Sequence, residues 1–366
     1  MKNRTKLNSR RSFLKGFVAN GAALSALPLA SYGRIHEDRP GADRNDKLPR
    51  LPLKIMLWSG LSEAHLNELK AVSPEISIYT RDNADQLEEA DAWFGGISED
   101  QFQKAKKLRW VQSPSAGVEY YLFPSFMESD VILTNAKGCY GPAIGEHTIG
   151  LLFSLTRQMV SQVRNMREGK WQGSGNMLEM KGMTLGIVGL GGIGSQIARR
   201  ARAMDMKVIA VDIVPKYKEQ IGDICDEVRL VQDEGLEWML PHADVVVSAA
   251  PHTKTSEGMF GPEQFAMMKK GAYFINVSRG KLVQTPALLS ALKTGQLAGA
   301  GLDVTDPEPL PPDHELWDQS NVIITSHISG RSQYSSVRMQ DVFVENVHRF
   351  VNGFPMLNLV DKKMGF

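Results

Sequence analysis

Three ionisable residues in three separate short motifs are the most informative pattern in this chain. Arg279 lies in Asn276-Val-Ser-Arg279-Gly, Glu308 in Asp303-Val-Thr-Asp-Pro-Glu308-Pro, and His327 opens His327-Ile-Ser-Gly. Arginine stays ionised, and its planar fork matches a carboxylate. A carboxylate beside an imidazole stabilises the protonated ring, which can then act as a general acid toward a carbonyl oxygen. Taken singly, these residues also suit a surface ion pair, an acidic loop and a buried histidine.

A glycine-rich turn lies upstream of these motifs, between the apolar run Thr184–Val188 and a predicted helix at Ser195–Ala203. The first glycine allows a tight turn, the second lets the backbone approach a pyrophosphate, and the third lets helix and strand pack closely. Amides at the start of the helix favour a bound phosphate. The predicted cofactor-binding residues of this turn are Gly189, Gly191, Gly192, Ile193 and Gly194.

Asp212 ends the next apolar run, at about the 20-residue spacing typical of a dinucleotide site. A carboxylate at this position binds the ribose hydroxyls and repels a 2′-phosphate. We therefore predict NAD as the cofactor, while Lys216, four residues further on, keeps NADP open as the alternative. A nucleotide site followed by a cation, a carboxylate and an imidazole indicates hydride transfer to or from a small anionic substrate.

Alternating apolar runs and helical patterns predict the elements that position these residues. A first block of short strands begins at Lys54, and six further runs follow between Met183 and His327. Such alternation favours parallel sheets with helices on both faces, and ligands bind beyond the carboxyl ends of their strands. We predict one long helix from Ile144 to about Met166 that joins the domains and packs against a partner subunit.

The predicted fold class is α/β, with two Rossmann-like domains. A doubly wound parallel-sheet nucleotide domain, residues 138–327, is inserted in a discontinuous substrate domain formed by residues 51–137 and 328–366. Residues 34–50 are predicted to be a flexible lead-in.

The amino terminus has the order of features of a twin-arginine signal peptide. Arg10 and Arg11 precede a moderately apolar stretch, Gly16–Ala30, which is shorter than the ~20 apolar residues needed to span a bilayer. We predict a signal peptide over residues 1–33, recognition by the twin-arginine export machinery, a periplasmic or otherwise exported protein, and no stable membrane insertion. A disordered basic tail or a first helix of the domain is the alternative.

Charge and cysteine content exclude further classes. Residues 1–33 hold six of the 42 basic residues and none of the 41 acidic ones, so the remaining chain has a formal charge of −5. A mildly acidic chain of this kind is not expected to bind nucleic acid. Cys139 and Cys225 match no metal or redox spacing, so we predict no metal site and interpret them as two separate thiols rather than one disulfide.

From about Lys54 to Phe350 the chain resembles the D-isomer-specific 2-hydroxyacid dehydrogenase family, and within it the glyoxylate/hydroxypyruvate reductases. The glycine turn with Asp212 and the motifs around Arg279, Glu308 and His327 are the basis of the resemblance. It implies that Arg279 orients the substrate carboxylate and carbonyl. It also implies that His327 donates the proton in reduction and accepts it in oxidation, held by Glu308.

The resemblance extends to further site residues. Ser113–Val118 resembles the family's substrate loop, whose backbone amides grip the carboxylate. Family members often have an acidic residue after the Arg-Gly pair, where this chain has Gln284 and Thr285. The implied substrate-binding residues of the loop are Ser115, Ala116 and Gly117, and the implied additional cofactor contacts are Pro251, Ser278 and Asp303.

The predicted function is therefore an NAD-dependent oxidoreductase acting on a small 2-oxo or D-2-hydroxy acid, and the resemblance implies a homodimer. The alternative is a non-catalytic nucleotide-binding sensor or interaction module on the same fold. Intact Arg279, Glu308 and His327 argue against that alternative, because a binding module need not keep a proton donor.

Overall fold

The computed structural model describes residues 51–173, 175–214, 224–233 and 235–365. The predicted signal peptide, the lead-in and Lys216 lie outside the described residues. Within them, no helix is both long and apolar enough to cross a bilayer.

The first sheet is five-stranded and entirely parallel. Its strands are β1 (Leu53–Leu57), β2 (Ile76–Thr80), β3 (Ala92–Phe94), β4 (Trp110–Gln112) and β5 (Ile132–Thr134). Their order across the sheet is β2-β1-β3-β4-β5. Every residue of β3 and β4 is buried, as expected for central strands covered on both faces.

The second sheet is seven-stranded and also entirely parallel. Its strands are β6 (Thr184–Val188), β7 (Lys207–Asp212), β8 (Glu227–Leu230), β9 (Val245–Ser248), β10 (Ala272–Asn276), β11 (Leu297–Leu302) and β12 (Val322–Ile324). Their order is β12-β11-β10-β9-β6-β7-β8. Side chains of neighbouring residues in a strand point to opposite faces of the sheet. Ile187 and Val188 belong to different apolar clusters, so each face of the sheet is covered by its own cluster. The sheet is therefore doubly wound.

Helices connect the strands. They are α1 (Glu63–Val72), α2 (Glu99–Lys104), α3 (Pro124–Met127), α4 (Gly141–Thr156), α5 (Met159–Arg167), α6 (Gly192–Arg202), α7 (Gly235–Met239), α8 (Pro262–Met267), α9 (Thr285–Lys293) and α10 (Ser335–Asn352). Short 3-10 turns lie at Arg81–Glu89, Glu119–Tyr121, Val231–Asp233, Leu240–His242, Gly280–Leu282 and Glu315–Asp318.

Helix α10 returns to the first sheet at the end of the chain. Phe343 stacks on Phe94 with ring centroids 4.2 Å apart, and Asp341 contacts His65 of α1 at 2.9 Å. The first sheet is thus covered by segments that precede and follow the second sheet in sequence. The predicted α/β class, with a nucleotide-binding sheet inserted in a discontinuous partner, is confirmed.

Two predictions about elements are corrected. The single helix expected from Ile144 to Met166 is two helices, because Gln158 has a left-handed backbone (φ 55°) and both its amide and its side-chain nitrogen donate to the Leu155 carbonyl. Strand β8 was not expected. It is an edge strand in which only Val228 is buried, so its sequence lacks the apolar run of a central strand.

Candidate active site

The glycine turn has the geometry that a dinucleotide requires. Gly189 has φ +94°, and a Cβ on it would lie 2.8 Å from the Ala250 backbone. A Cβ on Gly194 would lie 2.0 Å from the Gly189 carbonyl oxygen, so helix α6 packs directly on the turn. At Gly191, by contrast, no described atom lies within 4 Å of the same position, which leaves room for a pyrophosphate.

Two further residues of the turn face the interdomain helix and the core. A Cβ on Gly192 would lie 3.2 Å from Gly138, at the start of the connection to α4. Ile193 packs against the apolar cluster on that face of the second sheet. Gly192 and Ile193 therefore hold the start of α6 in place through Gly138 and the apolar cluster.

Asp212 is buried at the end of β7 and lies against the turn. One carboxylate oxygen accepts from the Leu190 amide at 2.6 Å, and the other from the Val214 amide at 2.8 Å. Because a carboxylate offers about four acceptor sites, each oxygen keeps a direction for a ribose hydroxyl. The turn and Asp212 together fit an NAD-type cofactor.

Arg279 follows β10 and is positioned by buried polar side chains. Asn276 accepts from the Ser278 amide at 3.1 Å and from its hydroxyl at 2.9 Å, and its amide nitrogen donates to the Arg279 carbonyl. Ser278 also contacts Ser248 at 2.8 Å. The predicted cofactor contact Ser278 is thus buried in this network, whereas Pro251 is exposed beyond β9.

The substrate loop lies against the guanidinium of Arg279. A Cβ on Gly117 would be 1.7 Å from Nη2, so only glycine allows this approach. The carbonyl of Ser115 accepts from the Ala136 amide, and that of Ala116 from the Asn135 side chain at 2.7 Å. Within the described chain, the amides of Ala116 and Gly117 have no hydrogen-bond acceptor. They are therefore available to an anionic ligand.

His327 and Glu308 form a hydrogen-bonded pair. His327 Nδ1 lies 2.6 Å from Glu308 Oε1, and roughly half of each side chain is exposed. The opposite ring nitrogen, Nε2, contacts no polar group among the described residues. A carboxylate on Nδ1 favours the orientation in which Nε2 can give or take a proton.

Asp303, at the end of β11, holds the backbone around His327. Its carboxylate accepts from the Thr325 hydroxyl at 2.6 Å and from the amides of Ile328 and Ser329 at 3.0 Å. His327 itself has φ +53°, an uncommon conformation for a residue other than glycine. Burial acts to raise the pKa of Asp303, but the hydrogen bonds from Ser329, Thr325 and Ile328 outweigh it and lower the pKa below its usual value.

Several supporting residues have no signal in the sequence. His147 of α4 contacts the Thr325 hydroxyl at 3.0 Å, and Glu119 contacts Arg279 Nε at 3.0 Å. Thr285 donates to the Asp306 carbonyl at 2.7 Å and so supports the loop that leads to Glu308. Each contact joins segments far apart in the chain, which local patterns do not reveal.

Both cysteines are free, as predicted, and both are buried. Burial raises the pKa of each thiol to about 12. Over the described residues, no cluster of three or more His, Cys, Asp or Glu side chains is placed to hold a metal ion.

Known proteins are similar in sequence to most of this chain. Residues 149–329 match the family described as "D-isomer specific 2-hydroxyacid dehydrogenase, NAD binding domain". Glyoxylate reductase of Thermofilum pendens is 33% identical over 265 residues, covering 71% of this chain and 77% of that protein. D-3-phosphoglycerate dehydrogenase of Archaeoglobus fulgidus is 29% identical over 84% of this chain, which spans only 59% of that longer protein.

Solved structures agree. A D-isomer specific 2-hydroxyacid dehydrogenase family protein from Aeromonas salmonicida is 34% identical, with a TM-score of 0.74 over 85% of this chain and 99% of that one. An NADPH-dependent glyoxylate/hydroxypyruvate reductase from Sinorhizobium meliloti, in complex with NADP and sulfate, is 26% identical, with a TM-score of 0.70 over 86% of this chain and 99% of that one.

The fold and the site define the class as a Rossmann-type nucleotide-binding oxidoreductase with a second, substrate-binding sheet. Within that class, the chain belongs to the D-isomer specific 2-hydroxyacid dehydrogenase family. Relatives named as reductases and dehydrogenases favour an enzyme over the non-catalytic sensor.

Proposed function

We propose that this protein reduces a small 2-oxo acid to its D-2-hydroxy acid with NADH, and catalyses the reverse reaction with NAD. One observation is the main support. The motifs of Arg279, Glu308 and His327 follow β10, β11 and β12, three neighbouring parallel strands. The three motifs therefore lie at the same edge of the sheet, where ligands of such folds bind.

Each residue has a distinct role in the proposed reaction. Arg279 binds the substrate carboxylate together with the free amides of the substrate loop, and polarises the carbonyl. The glycine turn and Asp212 would hold NADH, which when bound would supply the hydride that the carbonyl carbon accepts. His327 gives a proton from Nε2 to the carbonyl oxygen, a contribution of about 10²–10⁴ in rate, and Glu308 holds the ring by Nδ1.

We propose NAD rather than NADP as the cofactor. The carboxylate of Asp212 lies directly against the glycine turn, where it would repel a 2′-phosphate. The Sinorhizobium relative is named as NADPH-dependent, so the preference needs a direct test. Equal kcat/KM for NADH and NADPH would contradict it.

The test of function is loss of nicotinamide absorbance with the purified protein, NADH or NADPH, and glyoxylate, hydroxypyruvate, pyruvate or phenylpyruvate. His327→Ala removes the proton donor. His348→Ala, at an exposed position of α10, is the matched control. We expect turnover with at least one acid, lost in His327→Ala and kept in His348→Ala. Failure of every acid despite bound nucleotide would contradict the proposal.

We also propose export through the twin-arginine pathway, on the strength of Arg10-Arg11 and the apolar stretch after them. That pathway exports folded proteins, so the cofactor would be loaded beforehand and held tightly. A fusion of residues 1–50 to a reporter, with Arg10→Lys and Arg11→Lys together as the control, tests export. Recovery of the exported protein without nucleotide would contradict the tight binding.

We propose a homodimer in which the segment after α4 contacts the partner. Seven large apolar side chains among the described residues of this segment are exposed: Met159, Val160, Val163, Met166, Trp171, Met177 and Leu178. Sedimentation of the wild type and of Met166→Asp together with Trp171→Asp tests the dimer. A wild type that sediments as a monomer at micromolar concentration would contradict it.

A further inference from the structure

Glu119 lies directly on the proposed substrate arginine, although no sequence motif includes it. Its Oε1 accepts from Arg279 Nε at 3.0 Å, and Arg279 Nη1 donates to the Ser278 carbonyl at 2.8 Å. Among the described residues, the remaining nitrogen, Nη2, has no hydrogen-bond acceptor, and it lies over Gly117. The Arg279 guanidinium thus already donates a hydrogen bond to one protein carboxylate, that of Glu119.

The backbone on both sides of Glu119 is anchored. Val118 and Tyr121 are buried, and the Tyr121 hydroxyl donates to the Gly95 carbonyl at 3.0 Å. The absence of a side chain at Gly117 gives both partners room, since a Cβ there would also lie 2.6 Å from Glu119 Oε2. The carboxylate is therefore held at the mouth of the substrate loop.

We propose that Glu119 determines the charge class of the substrate: the site takes 2-oxo acids whose carboxylate is their only charge, and discriminates against those with a second anionic group. This inference rests on the proposed function. Arg279 has its charge partly balanced by Glu119 before any substrate binds, and Glu308 adds a second carboxylate beside His327. A distal phosphate or carboxylate on the substrate would be repelled by Glu119.

Cationic side chains also lie beyond the carboxyl ends of strands in the first sheet. Arg81 follows β2, but its Nε donates to the Trp58 carbonyl at 2.7 Å and its guanidinium lies 5.1 Å from the Trp58 ring centroid. These contacts hold it on the protein surface. If the protein preferred a doubly charged substrate, Arg81 rather than Glu119 would determine the charge class of the substrate.

The test compares two substrates that differ in one charged group, hydroxypyruvate and 3-phosphohydroxypyruvate, with NADH and the purified protein. We expect the wild type to favour hydroxypyruvate in kcat/KM. Glu119→Gln keeps an acceptor for Arg279 Nε but removes the charge. It should shift the ratio of the two kcat/KM values toward the phosphorylated acid on the order of tenfold, mainly through KM. Glu128→Gln, an exposed change on the same segment, should leave the ratio unchanged.

Salt dependence gives a second readout. The discrimination of the wild type should weaken as ionic strength rises, because salt screens partly exposed charges, and that of Glu119→Gln should change less. A wild type that prefers the phosphorylated acid, or a ratio that Glu119→Gln leaves unchanged, overturns the inference.

Failure of the proposed function can be distinguished from failure of the inference by measuring binding instead of turnover. Should no 2-oxo acid turn over, calorimetric binding of glycerate and 3-phosphoglycerate in the presence of NAD still measures charge selection. Tighter binding of glycerate by the wild type, with the difference reduced in Glu119→Gln, supports the inference even then. Equal affinities overturn it.

Discussion

At the scale of single residues, the site depends on polar contacts that are only partly buried. His327 and Glu308 are each roughly half exposed, so their ion pair contributes little to folding. The same pair orients the imidazole for proton transfer, where small displacements have large effects on rate. Substitutions here should therefore separate activity from stability.

Glu308→Gln tests that separation. We expect kcat for reduction to fall roughly 10²-fold, at the low end of general acid contributions, with the free energy of unfolding changed by less than about 0.5 kcal/mol. The control is Glu315→Gln, which removes an exposed carboxylate paired with Lys293. Equal losses of activity in both variants, measured by steady-state kinetics and urea unfolding, would refute the role of Glu308.

Gly117→Ala tests the fit between the substrate loop and Arg279. The new Cβ would lie 1.7 Å from Nη2, so the guanidinium must move. Because it is the end of a flexible side chain, we expect an unchanged Tm but a kcat/KM lowered by about 10²-fold. Gly60→Ala is the matched control, since no described atom lies within 4 Å of its Cβ position. A fully active Gly117→Ala would show that Arg279 tolerates displacement.

At the scale of elements, the carboxyl ends of β10, β11 and β12 are tied together by short contacts. The Asp303 carboxylate connects the end of β11 to the Thr325 hydroxyl before His327 and to the amides of Ile328 and Ser329 after it. Gly280, after β10, lies so close to the next loop that a Cβ on it would be 1.8 Å from the Thr305 carbonyl oxygen. The three motifs are therefore joined to one another by direct contacts.

The lowered pKa of Asp303 predicts a pH dependence of stability. Its ionised form is favoured in the folded state, so the stabilisation is present above the unfolded pKa of about 4 and is lost as pH falls through the folded value. Asp303→Asn should lower the free energy of unfolding at pH 7 by about 1–3 kcal/mol and flatten the acid side of the profile. Asp313→Asn, an exposed substitution, is the control for urea unfolding from pH 7 to pH 3. Parallel profiles for Asp303→Asn and wild type would contradict the assignment.

At the scale of the whole molecule, two sheets with buried central strands leave both thiols inside. The thiolate is the reactive form of cysteine, and burial raises the pKa of Cys139 and Cys225 to about 12. We expect neither to react with Ellman's reagent at pH 8 in the native protein, and two thiols per chain to react in guanidinium chloride. Rapid reaction of one thiol in the native state would show local opening around it.

The α/β class, the alternation of strands and helices, and the motifs that hold Arg279, Glu308 and His327 could all be predicted from the amino-acid sequence. These features are local: apolar runs predict buried strands, and a tight turn requires glycine whatever surrounds it. The break at Gln158 went unpredicted because its left-handed backbone belongs to a residue other than glycine.

Contacts between residues far apart in the chain could not be predicted from local patterns and became visible only in the folded structure. Glu119 and Arg279 are 160 positions apart, and an exposed carboxylate followed by two tyrosines has no pattern that predicts an ion pair. The contact of His147 with Thr325 has the same origin. Periodicity indicates which face of an element is buried, but the partner on that face is set by packing across the whole chain.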